Sequence, residues 1–311
     1  MIRTCGIIGF GVIGRLFHSI LKAPGNDAGL IVAAIADPEL PDGLDGLSRY
    51  AGYRELLASP IDAVLIATPP SIHYRVAMDA LHAGKDVLVE KPPTDTVSQS
   101  RELIAFNNAA GKVLYFAFHA RYNRAVRLAR EKLAGKRIKK FSVLYREDVS
   151  RYHRPGSWVF KEGVLKDSGI NAVSVLTYIL PNPSTLQVVE SKLFIPDPRL
   201  GETRATVVLS WEDRAIGQID LDWNYTGQEV RNVTVETDDR EYRIDIANDL
   251  FYENGRQLLD PPTIRETLRR EYERMLTDFA ACLAGGISSC STVELGLIEE
   301  ARREIHLGQF S

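Results

Sequence analysis

Three glycines in the run Gly9-Phe10-Gly11-Val12-Ile13-Gly14 restrict this chain to few folds. The run follows an apolar stretch, Cys5 to Phe10, and opens a helical pattern from Gly11 to Leu21 that stops at Ala23-Pro24-Gly25. A Gly-x-Gly-x-x-Gly turn between a buried strand and a helix suits a dinucleotide. Gly9 allows the tight turn, Gly11 lets a pyrophosphate approach the backbone, and Gly14 lets helix and strand pack closely. The helix N-terminus adds free amides and the positive end of its dipole. Asp37 lies 23 residues beyond Gly14, where a carboxylate accepts hydrogen bonds from the adenine ribose hydroxyls. The 2′-phosphate of NADP beside it would set like charges together. No arginine follows in Pro38-Glu39-Leu40, so NAD is expected over NADP. The plainer alternatives are a glycine turn without a ligand and a capping aspartate.

The rest of the first 120 residues continues the alternation. Apolar runs at Leu30 to Ala36, Ala63 to Ala67, Val87 to Val89 and Val113 to Phe118 read as buried strands. Ser71 suits an N-cap, and Ile72, Val76, Ala77, Ala80 and Leu81 form one helical stripe that Gly84 ends. This pattern predicts an α/β fold: an N-terminal Rossmann domain with a doubly wound parallel sheet. After Asn123 the pattern changes. Helices are expected from Asn123 to Ala134 and Lys166 to Leu180. Strands are expected at Lys140–Asp148, Ser184–Ile195, Thr203–Trp211, Ala215–Trp223, Val230–Glu236 and Arg240–Ile246, and closing helices at Ile264–Leu283 and Val293–His306. Strands in series predict a C-terminal α/β domain with a large, mainly antiparallel open sheet. The expected division is 1–121 and 122–311, with the C-terminal helices able to pack back on the first domain.

Bulk properties exclude several classes. With 45% apolar and 25% charged residues, 311 residues can bury a sizeable core. A net charge of -3 argues against a general nucleic-acid binder. The three cysteines, Cys5, Cys282 and Cys290, lack metal spacing, and their odd number argues against a disulfide framework. The expectation is therefore a cytoplasmic protein with no metal site. No apolar run is long enough to span a membrane.

Lys91 closes the strand Val87-Leu88-Val89-Glu90-Lys91 just before Pro92-Pro93. A lysine at the carboxyl end of a strand in such a sheet points into the ligand crevice. Together, Gly9-x-Gly11-x-x-Gly14, Thr68-Pro69-Pro70, Ala83-Gly84-Lys85 and Glu90-Lys91-Pro92 resemble the glucose–fructose oxidoreductase and inositol dehydrogenase (Gfo/Idh/MocA) superfamily. The resemblance covers essentially the whole chain and implies a cis Lys91–Pro92 bond. It also implies cofactor contacts at Gly9, Phe10, Gly11, Val12, Ile13, Gly14, Asp37, Thr68, Pro69, His73, Glu90 and Lys91. By pattern alone His18, His73, His82 and His306 fall on helix surfaces.

A narrower likeness lies in the second half. Many superfamily members carry a histidine four residues after an aspartate, and here Asn171 follows Asp167 at that spacing. This segment, His119-Ala120-Arg121-Tyr122, Glu147-Asp148-Val149, His153, Trp158 and Asp222-Trp223 resemble the branch containing bacterial D-galactose 1-dehydrogenase and L-arabinose 1-dehydrogenase. Departures are Lys166 and Ser168, where that branch has phenylalanine and proline, Asn224 in place of a basic residue, and Asp37 relative to members that favour NADP.

The resemblance implies oxidation of an aldose at C1 to a lactone. Lys91 accepts the hydroxyl proton or holds the hydroxyl for another base, and Asp167 is acid/base or its orienting partner. Asn171 offers a donor and an acceptor to sugar hydroxyls. His119, Glu147, His153, Trp158 and Trp223 are candidate sugar contacts, with core or loop roles as the alternatives for the histidines and tryptophans. Arg269-Arg270 and Arg302-Arg303 read as solvated helix faces. Competing readings are an inositol or polyol dehydrogenase, which Asn171 weighs against, and a non-catalytic sugar- or NAD-sensing regulator, which would not need Lys91 and Asp167. By analogy the C-terminal sheet forms a homodimer or homotetramer.

Overall fold

The computed structural model describes residues 2–25, 28–41, 43–44, 46–154, 156–197, 199–212, 215–262 and 267–303. They fall into two compact units. The first comprises residues up to Phe118 together with Arg269–Thr292, and the second His119–Leu268 together with the chain from Val293 onward.

The first unit is built on six parallel strands: β1 (Arg3–Ile8), β2 (Leu30–Ala36), β3 (Ser48–Tyr50), β4 (Ala63–Ile66), β5 (Asp86–Glu90) and β6 (Leu114–Ala117). They lie in the order β3-β2-β1-β4-β5-β6. Every residue of β4, β5 and β6 is buried, as a sheet covered on both faces requires. The strand order reverses between β1 and β4, so the loops after these two strands border the switch point of a doubly wound sheet, with the loop after β5 one strand further along. The crossovers carry α1 (Val12–Leu21), α2 (Tyr53–Leu57), α3 (His73–His82) and α4 (Val97–Ala110).

Ser71 is not the N-cap of α3. It sits within a 3-10 turn, Pro70–Ile72, and Ile72 takes the cap position without a side-chain bond. Proline favours this entry, since its fixed φ suits the first position of a helical turn. Gly84 ends α3 as expected, at φ 71, with Gly84 N–H donating to Leu81 O and Lys85 N–H to Ala80 O in a Schellman arrangement. Helix α4 has no counterpart among the expected elements, yet Thr96 and Gln99 form a capping box at its start.

The second unit is an eight-stranded sheet in the order β14-β13-β12-β11-β7-β10-β9-β8. Its strands are β7 (Ile138–Arg146), β8 (Gln187–Phe194), β9 (Arg204–Trp211), β10 (Ala215–Asp222), β11 (Val230–Thr237), β12 (Glu241–Asp245), β13 (Leu250–Glu253) and β14 (Arg256–Gln257). Among these, β7 and β10 pair in parallel and the other neighbours pair antiparallel. Strand β9 alternates half-buried and buried residues, the signature of one covered face. Helices α5 (Arg124–Leu133), α6 (Trp158–Val164), α7 (Ile170–Ile179) and α9 (Val293–Arg303) belong to this unit, and Asn123 caps α5 by accepting from Ala125 and Val126. Helix α8 (Thr267–Gly285) belongs mostly to the first unit, where Tyr272 meets Phe17 and Asp278 accepts from the Tyr115 hydroxyl. The expected starts of α8 at 264–266 and the expected end of α9 at 304–306, including His306, lie outside the described residues.

The helix expected from Lys166 to Leu180 is two conformations in series. Residues Leu165–Gly169 form a π-helical turn, and the α-helix begins only at Ile170. Asp167 therefore lies in the wider π turn and Asn171 in the first turn of α7. Turns of this kind occur often at functional sites.

Candidate active site

In the first unit the glycine turn has the geometry its spacing requires. Gly9 has φ 91, and a Cβ there would lie 2.6 Å from the Ala67 carbonyl oxygen. A Cβ on Gly14 would lie 2.0 Å from the Gly9 carbonyl oxygen, so the helix can approach the turn only through glycine. A Cβ on Gly11 would meet no protein atom within 4 Å. Gly11 is also the N-cap of α1 and supplies no side chain to the first amides of the helix, which stay available to an anion.

Asp37, at the end of β2, reaches the same turn. Its Oδ2 accepts from the Phe10 N–H at 2.6 Å and its Oδ1 from the Glu39 N–H at 2.8 Å. Each oxygen keeps a second lone pair for a hydroxyl donor. Val12 is 83% exposed and Ile13 half-buried, while Phe10 is buried against His18. Arg15 returns to the turn, donating to the Phe10 carbonyl at 3.0 Å. The Thr68 hydroxyl oxygen is buried with no hydrogen-bond partner among the described residues. An open Gly11, free helix amides, an exposed Val12 and an unpaired Thr68 hydroxyl all fit a dinucleotide.

His73 is not on a helix surface. It is 1% exposed, with Nδ1 2.8 Å from the Pro92 carbonyl oxygen and Nε2 2.7 Å from that of Thr68. Burial lowers its pKa, with help from Lys91, against the opposing pull of the two carbonyls and Asp95. A neutral ring carries one N–H, so it donates to one of these carbonyls at a time. The imidazole thus stands between the loop after β4, which carries Thr68 and Pro69, and the loop after β5, which carries Lys91. Pattern alone missed this because a histidine with polar neighbours on both nitrogens can occupy an inward helix position. Lys91 itself is half-buried and follows the buried Glu90, whose Oε2 accepts the Lys91 N–H at 3.2 Å. The Lys91–Pro92 bond is cis.

In the second unit, Asn171 Oδ1 is buried and accepts no hydrogen bond among the described residues. Leaving such an oxygen unpaired costs about 1–3 kcal/mol, so it marks a place for an external donor. Asp167 is half-buried nearby in sequence, in the π turn. Lys166 pairs with Glu162 at 2.8 Å, and Asn224 donates to the Thr203 hydroxyl at 3.1 Å.

The expected sugar contacts separate into two groups. His153 is half-buried and lies edge-on to Trp158, with ring centroids 6.2 Å apart. Trp158 is 38% exposed, so it has apolar surface to offer a ligand. Trp223 does not: it is 3% exposed in the core, packed against Phe160, and donates its indole N–H to Ser168. For this residue the core alternative is the one observed. Glu147 is buried with both oxygens engaged, Oε1 by Arg231 at 2.6 Å and Oε2 by the Ser168 hydroxyl. His119 is buried in a 3-10 turn, His119–Tyr122. Arg231, Ser168 and Tyr152, whose hydroxyl donates to Glu229, complete a network that sequence pattern could not reveal, because its members lie far apart in the chain.

Among the described residues no helix is long and apolar enough to cross a membrane, and no group of three His, Cys, Asp or Glu side chains could hold a metal.

Residues 3–118 match the oxidoreductase family with an NAD-binding Rossmann fold. Galactose 1-dehydrogenase of Pseudomonas fluorescens is 27% identical over 271 residues, covering 86% of this chain and 84% of the relative. D-glucoside 3-dehydrogenase of Escherichia coli is 30% identical over 195 residues, 58% of this chain and 55% of that one. The crystal structure of D-galactose-1-dehydrogenase from Rhizobium etli superposes with a TM-score of 0.85 at 28% identity, covering 99% of this chain and 96% of that one. Levoglucosan dehydrogenase, solved with NADH and levoglucosan, shares the fold at a TM-score of 0.82 and 19% identity, over 98% of each chain. Residues 3–118 thus resemble the NAD-binding Rossmann domain of the Gfo/Idh/MocA oxidoreductases, and the chain over most of its length is similar to galactose 1-dehydrogenases.

Proposed function

We propose that the chain oxidises a free aldose, galactose, arabinose or a similar sugar, at C1 to the aldonolactone. The observation that carries this reading is the buried, unpaired Asn171 Oδ1 beside the π turn that holds Asp167. The likeness to two galactose 1-dehydrogenases supports the choice of carbon. In the reaction the C1–H bond breaks as a hydride, the C1 hydroxyl loses its proton, and a C1=O bond forms. NAD, when bound, supplies the hydride acceptor. Lys91 holds the C1 hydroxyl, and its single proton passes to one acceptor, the Asp167 carboxylate or the neutral Lys91 amine. Asn171 accepts a hydrogen bond from a sugar hydroxyl, and the His153–Trp158 pair covers part of the ring.

The reading is tested by NADH formation with a panel of free aldoses and cyclitols. Aldoses are the expected substrates. Turnover confined to cyclitols would make the chain a polyol dehydrogenase, and tight NAD binding without turnover would make it a sensor.

Asp37 sets the cofactor preference. A 2′-phosphate beside its carboxylate costs several kcal/mol, so kcat/KM should favour NAD over NADP by at least about 30-fold, and Asp37→Ala should narrow that ratio. A native preference for NADP would contradict the assignment. The unit of residues 119–268 also leaves apolar Val189 and Ile216 on its sheet 59% and 65% exposed. We infer that this sheet joins copies of the chain into a dimer or tetramer, which a sedimentation mass equal to one 34.7 kDa chain would exclude.

A further inference from the structure

Ser168 sits at the centre of a buried hydrogen-bond network that the proposed chemistry does not use. It is 6% exposed and lies next to Asp167 in the π turn. A hydroxyl has one proton to donate and two lone pairs. Here the proton goes to Glu147 Oε2, and one lone pair accepts the Trp223 indole N–H at 2.8 Å. Glu147 and Trp223 follow the ends of β7 and β10, which run parallel and side by side, and the Glu147 N–H donates to Asp222 O at 2.8 Å. One serine therefore fastens the turn to the same end of two adjacent strands.

The far side of this anchor is also fixed. Arg231 lies between Glu147 and Glu229, 2.6 Å from each. Burial alone would pull the Arg231 pKa down, but the two carboxylates outweigh it and raise it, so the guanidinium stays charged. Tyr152 donates to Glu229, and burial and that carboxylate push its phenol up to about 12, which keeps it a donor. At the other end of the turn the Leu165 N–H donates to Glu202 Oε1 at 3.0 Å.

Resting on the reading of Asp167 as a proton handler, we propose that Ser168 is a positioning residue that sets the rotation of the π turn and so the direction of the Asp167 carboxylate. A π turn has a wider ladder than an α-helix and is rarely sustained without external support. The network supplies that support through a residue at which this chain departs from the branch it resembles. Small displacements matter because misplacing a reacting group by about 1 Å can cost ~100-fold in rate.

A double-mutant cycle separates positioning from a merely structural role. Ser168→Ala should lower kcat about tenfold while leaving the KM for NAD within about twofold, and should change kcat less than about twofold in an Asp167→Asn background. Equal factors in both backgrounds, or native kcat in Ser168→Ala, would overturn the proposal. If Ser168→Ala does not fold, Trp223→Phe removes the indole donor, keeps an aromatic ring, and is carried through the same cycle with the same criteria. Native turnover in Asp167→Asn alone would instead refute the role given to Asp167 and remove the basis for a positioning serine.

Discussion

Lys91→Ala and Asp167→Ala are each expected to lower kcat at least ~100-fold, the low end of what general acid–base groups contribute. Lys91 leaves the end of β5 half-buried, its backbone N–H held by Glu90 and the following Pro92 carbonyl held by His73. Its side-chain amine is thus delivered from a braced loop. Truncation to alanine removes the amine without touching those backbone contacts, so the loop should keep its shape. Asp167 is delivered from a turn braced by Ser168 and Leu165, and alanine there leaves both anchors in place. For Asp167→Ala, a fall in kcat with unchanged NAD binding is the signature of a lost proton-transfer group. Near-native turnover in either folded variant contradicts the role given to that residue. Asn171 has no titratable side chain, which leaves Lys91 and Asp167 as the groups assigned to the proton.

Gly14→Ala and Gly11→Ala should fail differently. At Gly14 the new Cβ would sit 2.0 Å from the Gly9 carbonyl oxygen, a backbone atom that cannot turn aside as a flexible side chain does. Helix α1 must then move away from β1 and the turn must open. Both stability and NAD affinity should fall, stability by about 1–3 kcal/mol as for other overpacked sites. At Gly11 the new Cβ meets no protein atom within 4 Å, so stability should change by less than about 0.5 kcal/mol. NAD affinity should nonetheless drop, because a methyl group now stands where the pyrophosphate approaches the backbone. Thermal melting with and without NADH checks both variants. Equal NAD affinity of Gly11→Ala and the native chain would refute the assignment of this turn to the pyrophosphate.

The first unit was legible because its signals are local. Strands β4 and β5 are short apolar runs ended by proline or lysine, and the glycine turn fixes its own neighbours by sterics. Helix α4 escaped because its inward face is half polar: Ser100 and Asn107 are buried beside Val97 and Leu103, so no apolar stripe marks it. Its capping box at Thr96 and Gln99 and the left-handed Gly111 at its end were the available signals. In the second unit Asp167 and Asn171 could be found by spacing, but the π turn that holds Asp167 has no periodicity to read in five residues. The roles of Glu147 and Trp223 depended on partners 84 and 55 residues away, Arg231 and Ser168, which only the folded sheet brings to them. A buried carboxylate paired with a half-buried arginine and an exposed sugar-binding carboxylate look the same in sequence.

Hydride removal from C1 of an aldose is tested most directly with galactose carrying deuterium at C1. The deuterium should appear in the reduced nicotinamide, and the sugar product should be the lactone. Turnover that leaves the deuterium in the sugar would place the oxidation at another carbon and contradict removal from C1.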